Sequence, residues 1–113
     1  MSKGCKVYFM DILESISKIE EYTKGMEYSG FTGKSLVYDG VVRNLEIIGE
    51  AVKKIPADVK KKYPEIEWKK IAGLRDILIH EYSGVDLRIV WDVVVTKLPP
   101  LKESVKRIMK ELA

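Results

Sequence analysis

Two residue types that carry much of enzyme chemistry are almost absent from this 113-residue chain, which holds one histidine, His80, and one cysteine, Cys5. A zinc site of the usual nitrogen and sulfur type cannot be built within one such chain, because it needs three or four ligands. A single cysteine excludes an intramolecular disulfide and suits a reducing cytoplasm. Carboxylate-bound magnesium stays possible, but no Asp/Glu cluster points to it, so we expect no metal and no cofactor.

Other common signatures are missing as well. The sequence has no glycine-rich phosphate loop and no GxSxG elbow, which excludes most familiar enzyme chemistry. It has no run of about 20 apolar residues that could span a membrane. The opening residues, MSKGCKVYFMD, lack the pattern of a signal peptide, so we expect a cytoplasmic protein that makes no membrane contact. With 46% hydrophobic and 33% charged residues, residues 1–113 should form a single domain with a real core.

Positive charge is concentrated in two segments, although the net charge is only +3. Residues 53–70 hold seven lysines against three acidic residues, and residues 97–113 hold five basic residues against two acidic ones. Two basic segments on an otherwise acidic body could attract a polyanion such as RNA. Charge alone favours the simpler alternative, a solvated lysine face.

Apolar residues recur at spacings of three and four through most of the chain, which predicts helices. The first helix should close at Gly25, and residues 26–35 should form a loop. The second should run from Ser35 as N-cap to Ile55 and end at Pro56. Two glycines inside it, Gly40 and Gly49, indicate a close approach by another backbone.

The second half of the chain continues this pattern. A short helix is predicted over residues 57–63 and a longer one over residues 68–80. Asp86 should cap a helix that contains IVWDVVV, despite the strand propensity of its β-branched residues. We expect the Pro99-Pro100 pair to break the chain, with proline in the first turn of a last helix that ends near Leu112. The fold class is therefore all-α, an up-down bundle of four main helices plus one or two shorter ones.

The only histidine lies in GLRDILIHEYSG, residues 73–84. On a continuous helix Arg75 and His80 would be about 140° apart, whereas Asp76 would face His80 and could hold and polarise its imidazole. Tyr82 would lie near the face of Arg75 if the helix lasted that long. Spacing alone favours the simpler alternative, an ordinary surface ion pair, a surface arginine and a helix-end aromatic, because R-x4-H often occurs by chance.

A functional interpretation needs chemistry that these residues can perform without metal. In RNA cleavage by the RNA's own 2′-hydroxyl, His80 can take the hydroxyl proton and Arg75 can neutralise charge on the phosphate. A second general acid must then protonate the leaving 5′-oxygen. One chain has only one histidine, so a two-fold dimer would have to supply the second.

At these residues the sequence resembles the HepT-like branch of the HEPN superfamily, the toxin partner of a minimal nucleotidyltransferase in prokaryotic toxin–antitoxin pairs. The shared motif is R-x4-H-x-Y, here Arg75, His80 and Tyr82. Its context extends the match in the family's order: VVRNLEIIGEAVKKIP (41–56), YPEIEWKKIAGLRDILIHEY (63–82) and GVDLRIVWDVV (84–94). The resemblance implies a HEPN-type helical bundle, a homodimer whose motifs face a shared cleft, and metal-independent ribonuclease activity.

The resemblance also implies roles for single residues. Arg75 and His80 match the family's catalytic pair, and Asp76 stands where the family often has asparagine. Asp76 would orient His80, but it adds negative charge where a phosphate of the RNA must bind. Tyr82 matches the tyrosine that accepts AMP from the nucleotidyltransferase antitoxin, and AMP there would block RNA by bulk and charge.

Further residues have open alternatives. Arg43, Glu46 and Glu50 share a helix face that could line the cleft or form a surface network. Trp68 and Trp91 are more typical of core residues than of RNA-stacking platforms. A non-catalytic HEPN dimer that presents a surface to a nucleotidyltransferase is the main alternative function, and a plain structural bundle is a third. Five lysines could steer the RNA substrate through its phosphates: Lys60, Lys61, Lys62, Lys69 and Lys70.

Overall fold

A computed structural model describes residues 4–80 and 84–112 of the chain. The described part is almost entirely helical, apart from two antiparallel strands of two residues each. The helices are α1 (Cys5–Thr23), α2 (Tyr28–Thr32), α3 (Ser35–Lys54), α4 (Ala57–Lys62), α5 (Trp68–Ala72), α6 (Leu74–Leu78), α7 (Leu87–Asp92) and α8 (Leu98–Leu112). A π-helical segment (Val93–Lys97) joins α7 to α8, and the strands are β1 (Ile79–His80) and β2 (Gly84–Val85). The predicted all-α class is confirmed.

The two longest α-helices, α1 and α3, pack side by side and supply the centre of the core. They run antiparallel, because Gly40 near the start of α3 meets Tyr22 near the end of α1. The α1 face of Phe9, Ile12, Ile16 and Ile19 is fully buried, as the three-and-four spacing predicts. Full burial of such a side chain stabilises the fold by about 1.5–3 kcal/mol.

The third long element is a single helical rod formed by residues 87–112. The backbone stays helical through Asp92, Val93 and Leu98, so the expected break at Pro99-Pro100 is wrong. Proline lacks an N–H and its ring clashes with the carbonyl four residues earlier. The wider π turn immediately before the two prolines offers a physical reason why the chain passes this point without breaking. The β-branched run in this rod is helical, as predicted.

The connection between α1 and α3 differs from the predicted loop. It contains α2, whose Phe31 is fully buried and whose ring centroid lies 4.9 Å from that of Trp91. Gly25 adopts a positive φ of 74°, which suits its predicted role just after α1. Ser35 is the first residue of α3 rather than its cap: Lys34 holds the cap position and makes no side-chain capping bond.

The glycine prediction holds at one position and needs revision at the other. A Cβ at Gly49 would lie 3.1 Å from the carbonyl oxygen of Ile71, so the backbone of α5 does approach α3 there. At Gly40 the close neighbour is the Tyr22 side chain, at 3.2 Å, and not a backbone. Within the described ranges, no helix is long and apolar enough to cross a membrane.

Candidate active site

The segment predicted as one helix over residues 68–80 is divided into three parts. Gly73 separates α5 from α6 with a backbone conformation (φ −93°, ψ 14°) outside the regular helix. Leu74 and Leu78, the first and last residues of α6, are buried and anchor this single turn to the core. Arg75 and Asp76 lie between them and are exposed. The short helix therefore presents both side chains to solvent on a fixed base.

The last two residues of the predicted helix form a strand, β1, which pairs with the second strand, β2. Ile79 pairs with Val85 and His80 with Gly84, in antiparallel register. The backbone N–H of Asp86 donates to the carbonyl oxygen of Leu78 over 2.8 Å, which ties the second strand to the end of α6. Gly84 has φ +82°, a conformation that residues other than glycine rarely adopt.

Asp86 fixes the chain on the far side of this hairpin. Its carboxylate accepts hydrogen bonds from the backbone N–H groups of Arg88, at 3.0 Å, and Ile89, at 3.3 Å. This confirms the predicted N-cap of the helix that begins at Leu87. The hairpin that carries His80 is thus held at both ends, by α6 and by α7.

The helical-wheel relationships expected for the motif do not apply. His80 lies in β1, beyond the end of α6, so the 140° angle to Arg75 and the four-residue pairing with Asp76 have no helix to support them. The His80 side chain and all of Tyr82 lie outside the described residues. The catalytic roles of Arg75, Asp76 and His80 and the modification of Tyr82 therefore stay predictions.

Arg75 and Asp76 carry charges with no intramolecular partner in the described part of the chain. Neither side chain forms an ion pair or a hydrogen bond with any described group, a set that leaves out residues 81–83 and the side chains of Ile79 and His80. An exposed guanidinium without a partner can bind a phosphate bidentately at no cost in broken ion pairs. An unpaired carboxylate beside it weakens the attraction for an anion. Arg75 would therefore attract a phosphate at this position, and Asp76 would repel it.

The predicted steering lysines fall into two groups: Lys60, Lys61 and Lys62 in α4, and Lys69 and Lys70 in α5. Lys60, Lys61 and Lys62 form the last turn of α4. Lys70 is paired with Glu67 over 2.8 Å, and this hydrogen bond lowers the pKa of Glu67 and raises the pKa of Lys70. Because Lys70 is already paired, it is a poorer phosphate ligand than the α4 lysines.

Both tryptophans pack against the core, as the sequence favours. The Trp68 indole N–H is shared between the carbonyl oxygens of Tyr63, at 2.9 Å, and Lys60, at 3.1 Å. This bond fastens the start of α5 to the end of α4. Neither ring is a free platform for RNA bases.

The polar face of α3 takes part in a small pocket against α1. Arg43 and Glu50 line this cavity of about 190 Å³ together with Tyr8 and Asp11. Glu50 also receives a hydrogen bond from Lys53 over 3.5 Å, a surface contact with a residue outside the predicted set of three. Glu46 is half-buried and is not among the lining residues. The roles of Arg43, Glu46 and Glu50 in a cleft or dimer stay predictions.

An apolar groove of about 450 Å³ lies beside the motif and was not anticipated from the sequence. It separates α5 and α6 from the long rod of residues 87–112, with Leu74, Ile77 and Val93 among its lining. Ile77 is 43% exposed there. Periodicity could not find the groove, because an apolar residue facing a groove and one facing the core have the same spacing.

Comparison with known proteins defines the class of this fold and motif. The model of the ribonuclease HepT-like family matches residues 12–108. The chain therefore belongs to the ribonuclease HepT-like family, and the predicted resemblance is confirmed. No solved structure matches it.

Several curated relatives match along almost the entire chain. One from Methanocaldococcus jannaschii, named "Gamma-glutamylcyclotransferase and putative RNase", is 48% identical over 99% of this chain and 50% of its own length. A "Putative RNase" of the same organism is 46% identical over 97% of this chain and 91% of its own. "Probable ribonuclease HepT" of Thermococcus cleftensis is 43% identical over 97% and 100%. This chain thus spans half the length of the first relative and nine-tenths or more of the other two.

Proposed function

We propose that this protein is a HepT-like ribonuclease toxin that cleaves RNA without a metal and is neutralised by a nucleotidyltransferase antitoxin. The observation that carries the proposal is Arg75, which is exposed and has no partner among the described side chains, on α6 immediately before the strand that contains His80. Membership of a ribonuclease family and relatives named as RNases support RNA as the substrate.

The proposed reaction is an internal transesterification. His80 takes the proton of a ribose 2′-hydroxyl, whose oxygen attacks the adjacent phosphorus atom while the bond to the 5′-oxygen breaks. Arg75 binds the non-bridging oxygens as their charge increases. The products are a 2′,3′-cyclic phosphate and a free 5′-hydroxyl, and no metal or other co-reactant takes part.

The leaving 5′-oxygen needs a proton, and a second copy of the chain would supply it. Each chain has a single histidine, so one protomer cannot provide a base and an acid of this type at once. In a homodimer with the two hairpins facing a shared cleft, His80 of the second copy donates this proton.

Neutralisation would act at Tyr82. AMP transferred to its hydroxyl by a minimal nucleotidyltransferase adds bulk and negative charge two residues from His80, where RNA phosphate must bind. Incubation with the partner and ATP should release pyrophosphate and add the mass of AMP to the wild type and to Tyr28→Phe, a control at an exposed tyrosine outside the motif. Tyr82→Phe should stay unmodified, and modification of that variant refutes the site.

The cellular test is growth arrest. Expression without the partner should arrest growth, and His80→Ala should relieve the arrest while circular dichroism stays unchanged. Lys34→Ala, a control at an exposed residue outside the motif, should remain toxic. Arrest by a folded His80→Ala protein overturns the role of His80.

A non-catalytic HEPN dimer that binds the nucleotidyltransferase is the second candidate, and the unpaired carboxylate of Asp76 favours it by repelling phosphate. Stable partner binding by a purified protein that leaves RNA intact would support this alternative. Asp76→Asn separates the two functions. If Asp76 only weakens an active site, this variant should bind and cleave RNA better than the wild type, whereas a non-catalytic dimer stays inactive.

A further inference from the structure

One end of the molecule, distant from the motif, is strongly basic. The end of α3, all of α4 and the end of α8 meet there. Tyr63 donates a hydrogen bond to Glu111 over 2.5 Å, and Arg107 pairs with Glu65 over 2.5 Å, so α8 is joined to the segment that follows α4. We call this surface the basic pole and define it by six lysines: Lys54, Lys60, Lys61, Lys62, Lys106 and Lys110.

The charge of the basic pole is not cancelled internally. None of its six lysines forms an ion pair with any residue of ranges 4–80 and 84–112. Two of the nearby carboxylates are already engaged, Glu65 by Arg107 and Glu111 by Tyr63. Asp58 is the acidic residue within α4 itself. Among the described residues the six ammonium groups therefore have no ion-pair partner, although Lys54 also lines the small pocket that contains Asp11 and Glu50.

The long rod fixes the separation between the basic pole and the motif. Residues 87–112 extend over about 39 Å at 1.5 Å per residue, close to the 43 Å length of the molecule. The rod begins beside Leu78 and the hairpin, through the Leu78–Asp86 bond, and its far end carries Glu111, which contacts Tyr63. Allowing for side-chain reach, the pole lies roughly 20–30 Å from the hairpin.

This distance decides between two ways in which the lysines could act. Charges in water are screened over about 8 Å at physiological ionic strength, so the pole cannot attract a phosphate held at the motif. It can act on RNA only by contacting another part of the same strand. At about 3.4 Å per stacked nucleotide, that part lies about six to nine nucleotides from the scissile bond.

We propose that the basic pole is a second RNA-binding surface that holds phosphates of the substrate distant from the cleavage site. Lysine ammonium groups bind phosphates as point charges without reading the bases. The surface therefore selects for single-stranded RNA of sufficient length and not for sequence. The choice of RNA as the ligand rests on the proposed function, whereas the position of the surface rests on the geometry alone.

Binding of short and long RNA tests this proposal. Fluorescence anisotropy with the full-length His80→Ala protein should compare oligouridylates of about 4 and about 16 nucleotides, since only the longer one can reach the pole. The longer RNA should bind at least about tenfold more tightly. The triple variant Lys60→Gln, Lys61→Gln, Lys62→Gln in the same background should lose about tenfold in affinity for the long RNA and nothing for the short one. For this triple variant, the slope of log K against log salt concentration should decrease in magnitude by about 2, because three phosphate contacts are lost.

A matched triple variant controls for the change in net charge. Lys18→Gln, Lys24→Gln, Lys34→Gln removes the same charge outside the pole and should retain the length dependence. Any of three results overturns the proposal, provided circular dichroism shows all proteins folded. These are an equal loss of affinity for both RNA lengths, no loss of affinity for the long RNA, or the same loss in the control variant. Failure of the proposed function is separate: length-dependent binding through α4 combined with no RNA cleavage by the wild type refutes the ribonuclease alone.

Discussion

The backbone nitrogen of Asp86 lies 2.8 Å from the carbonyl oxygen of Leu78, and this hydrogen bond lies at the base of the strand pair that contains His80, the only histidine of the sequence. Leu78 is buried, with 1% of its surface exposed, and Asp86 caps α7 with its side chain. The motif is thus a hairpin fixed at its base between two helices. A site on such a base can hold its catalytic groups without a metal.

Arg75 should matter for catalysis and not for stability. Arg75→Ala is expected to lower kcat by about 100-fold to 1,000-fold, the usual loss for a group that stabilises transition-state charge. Arg75→Lys should recover part of the rate, because it keeps the charge but not the bidentate geometry. The melting temperature should stay unchanged, since Arg75 is exposed and unpaired in the described part of the chain. Single-turnover kinetics and thermal denaturation measure the two quantities.

Arg88 offers a matched control for this experiment. It is an exposed arginine that follows the same hairpin, and its guanidinium lies 5.8 Å from the centre of the Tyr28 ring. Arg88→Ala should keep kcat within about twofold of the wild type, because Arg88 lies outside the motif and the contact it loses is the one with the Tyr28 ring, which affects stability by about 0.5–1 kcal/mol. Equal losses from both substitutions would show that charge near the hairpin, and not Arg75 itself, supports the reaction.

Two glycines of α3 should respond differently to alanine. Both substitutions gain about 1 kcal/mol of helix propensity. At Gly40 the obstacle is the Tyr22 ring, a partly exposed side chain that can move, whereas at Gly49 it is the backbone carbonyl of Ile71. Urea denaturation should therefore show Gly40→Ala as neutral or stabilising and Gly49→Ala as destabilising by about 1 kcal/mol. The same effect from both would remove the evidence for a close packing of α5 on α3.

The bond between Tyr63 and Glu111 predicts a pH dependence of stability at high pH. The hydrogen bond to Glu111, followed by burial, raises the pKa of Tyr63 from 10.0 to about 12. The contribution of the protonated phenol is complete below pH 10 and is lost as pH rises through 12, because the unfolded chain ionises first. Tyr63→Phe should cost about 1 kcal/mol at neutral pH, and this difference from the wild type should shrink between pH 10 and 12.

Urea denaturation of both proteins at several pH values measures this effect. The difference between wild type and Tyr63→Phe isolates Tyr63 from the other groups that titrate in the same range. Glu111→Gln serves as a second variant, because it keeps an acceptor and removes the charge that raises the pKa. A difference between wild type and Tyr63→Phe that stays constant up to pH 12 contradicts the assigned bond.

Much of the fold follows from periodicity, and the exceptions have local causes. The faces of α1 and α3, the Asp86 cap and the helical nature of the IVWDVVV run were predictable, since each depends on residues near in sequence. The split at Gly73 and the end of α6 at Leu78 were not. The end of α6 depends on hydrogen bonds with residues 84–86, which no helical pattern before residue 80 can reveal. The split depends on the non-helical backbone conformation of Gly73. Nor was it predictable that the helix would continue through Pro99, next to the π turn that precedes it.

The candidate site could likewise be predicted only in part from the sequence. Sequence resemblance identified the family and the residues Arg75, His80 and Tyr82, because a motif is recorded in the order of residues. It could not give their geometry, since the assumed helix ends two residues before His80. Nor could it show that α4, with Lys60, Lys61 and Lys62, lies against the start of α5 and near the far end of the rod formed by residues 87–112. Those contacts join residues that are distant in sequence, so no local pattern reveals them.

The central claim is that His80 and Arg75 cleave RNA by attack of the 2′-hydroxyl, and the ends of the product test it most directly. Purified wild-type protein should cleave single-stranded RNA with EDTA present and leave 2′,3′-cyclic phosphate and 5′-hydroxyl ends. His80→Ala should leave the RNA intact, and so should a wild-type reaction in which the 2′-hydroxyl at every position is replaced by hydrogen. Cleavage that persists in His80→Ala, that requires a metal, or that leaves 5′-phosphate ends would contradict the account.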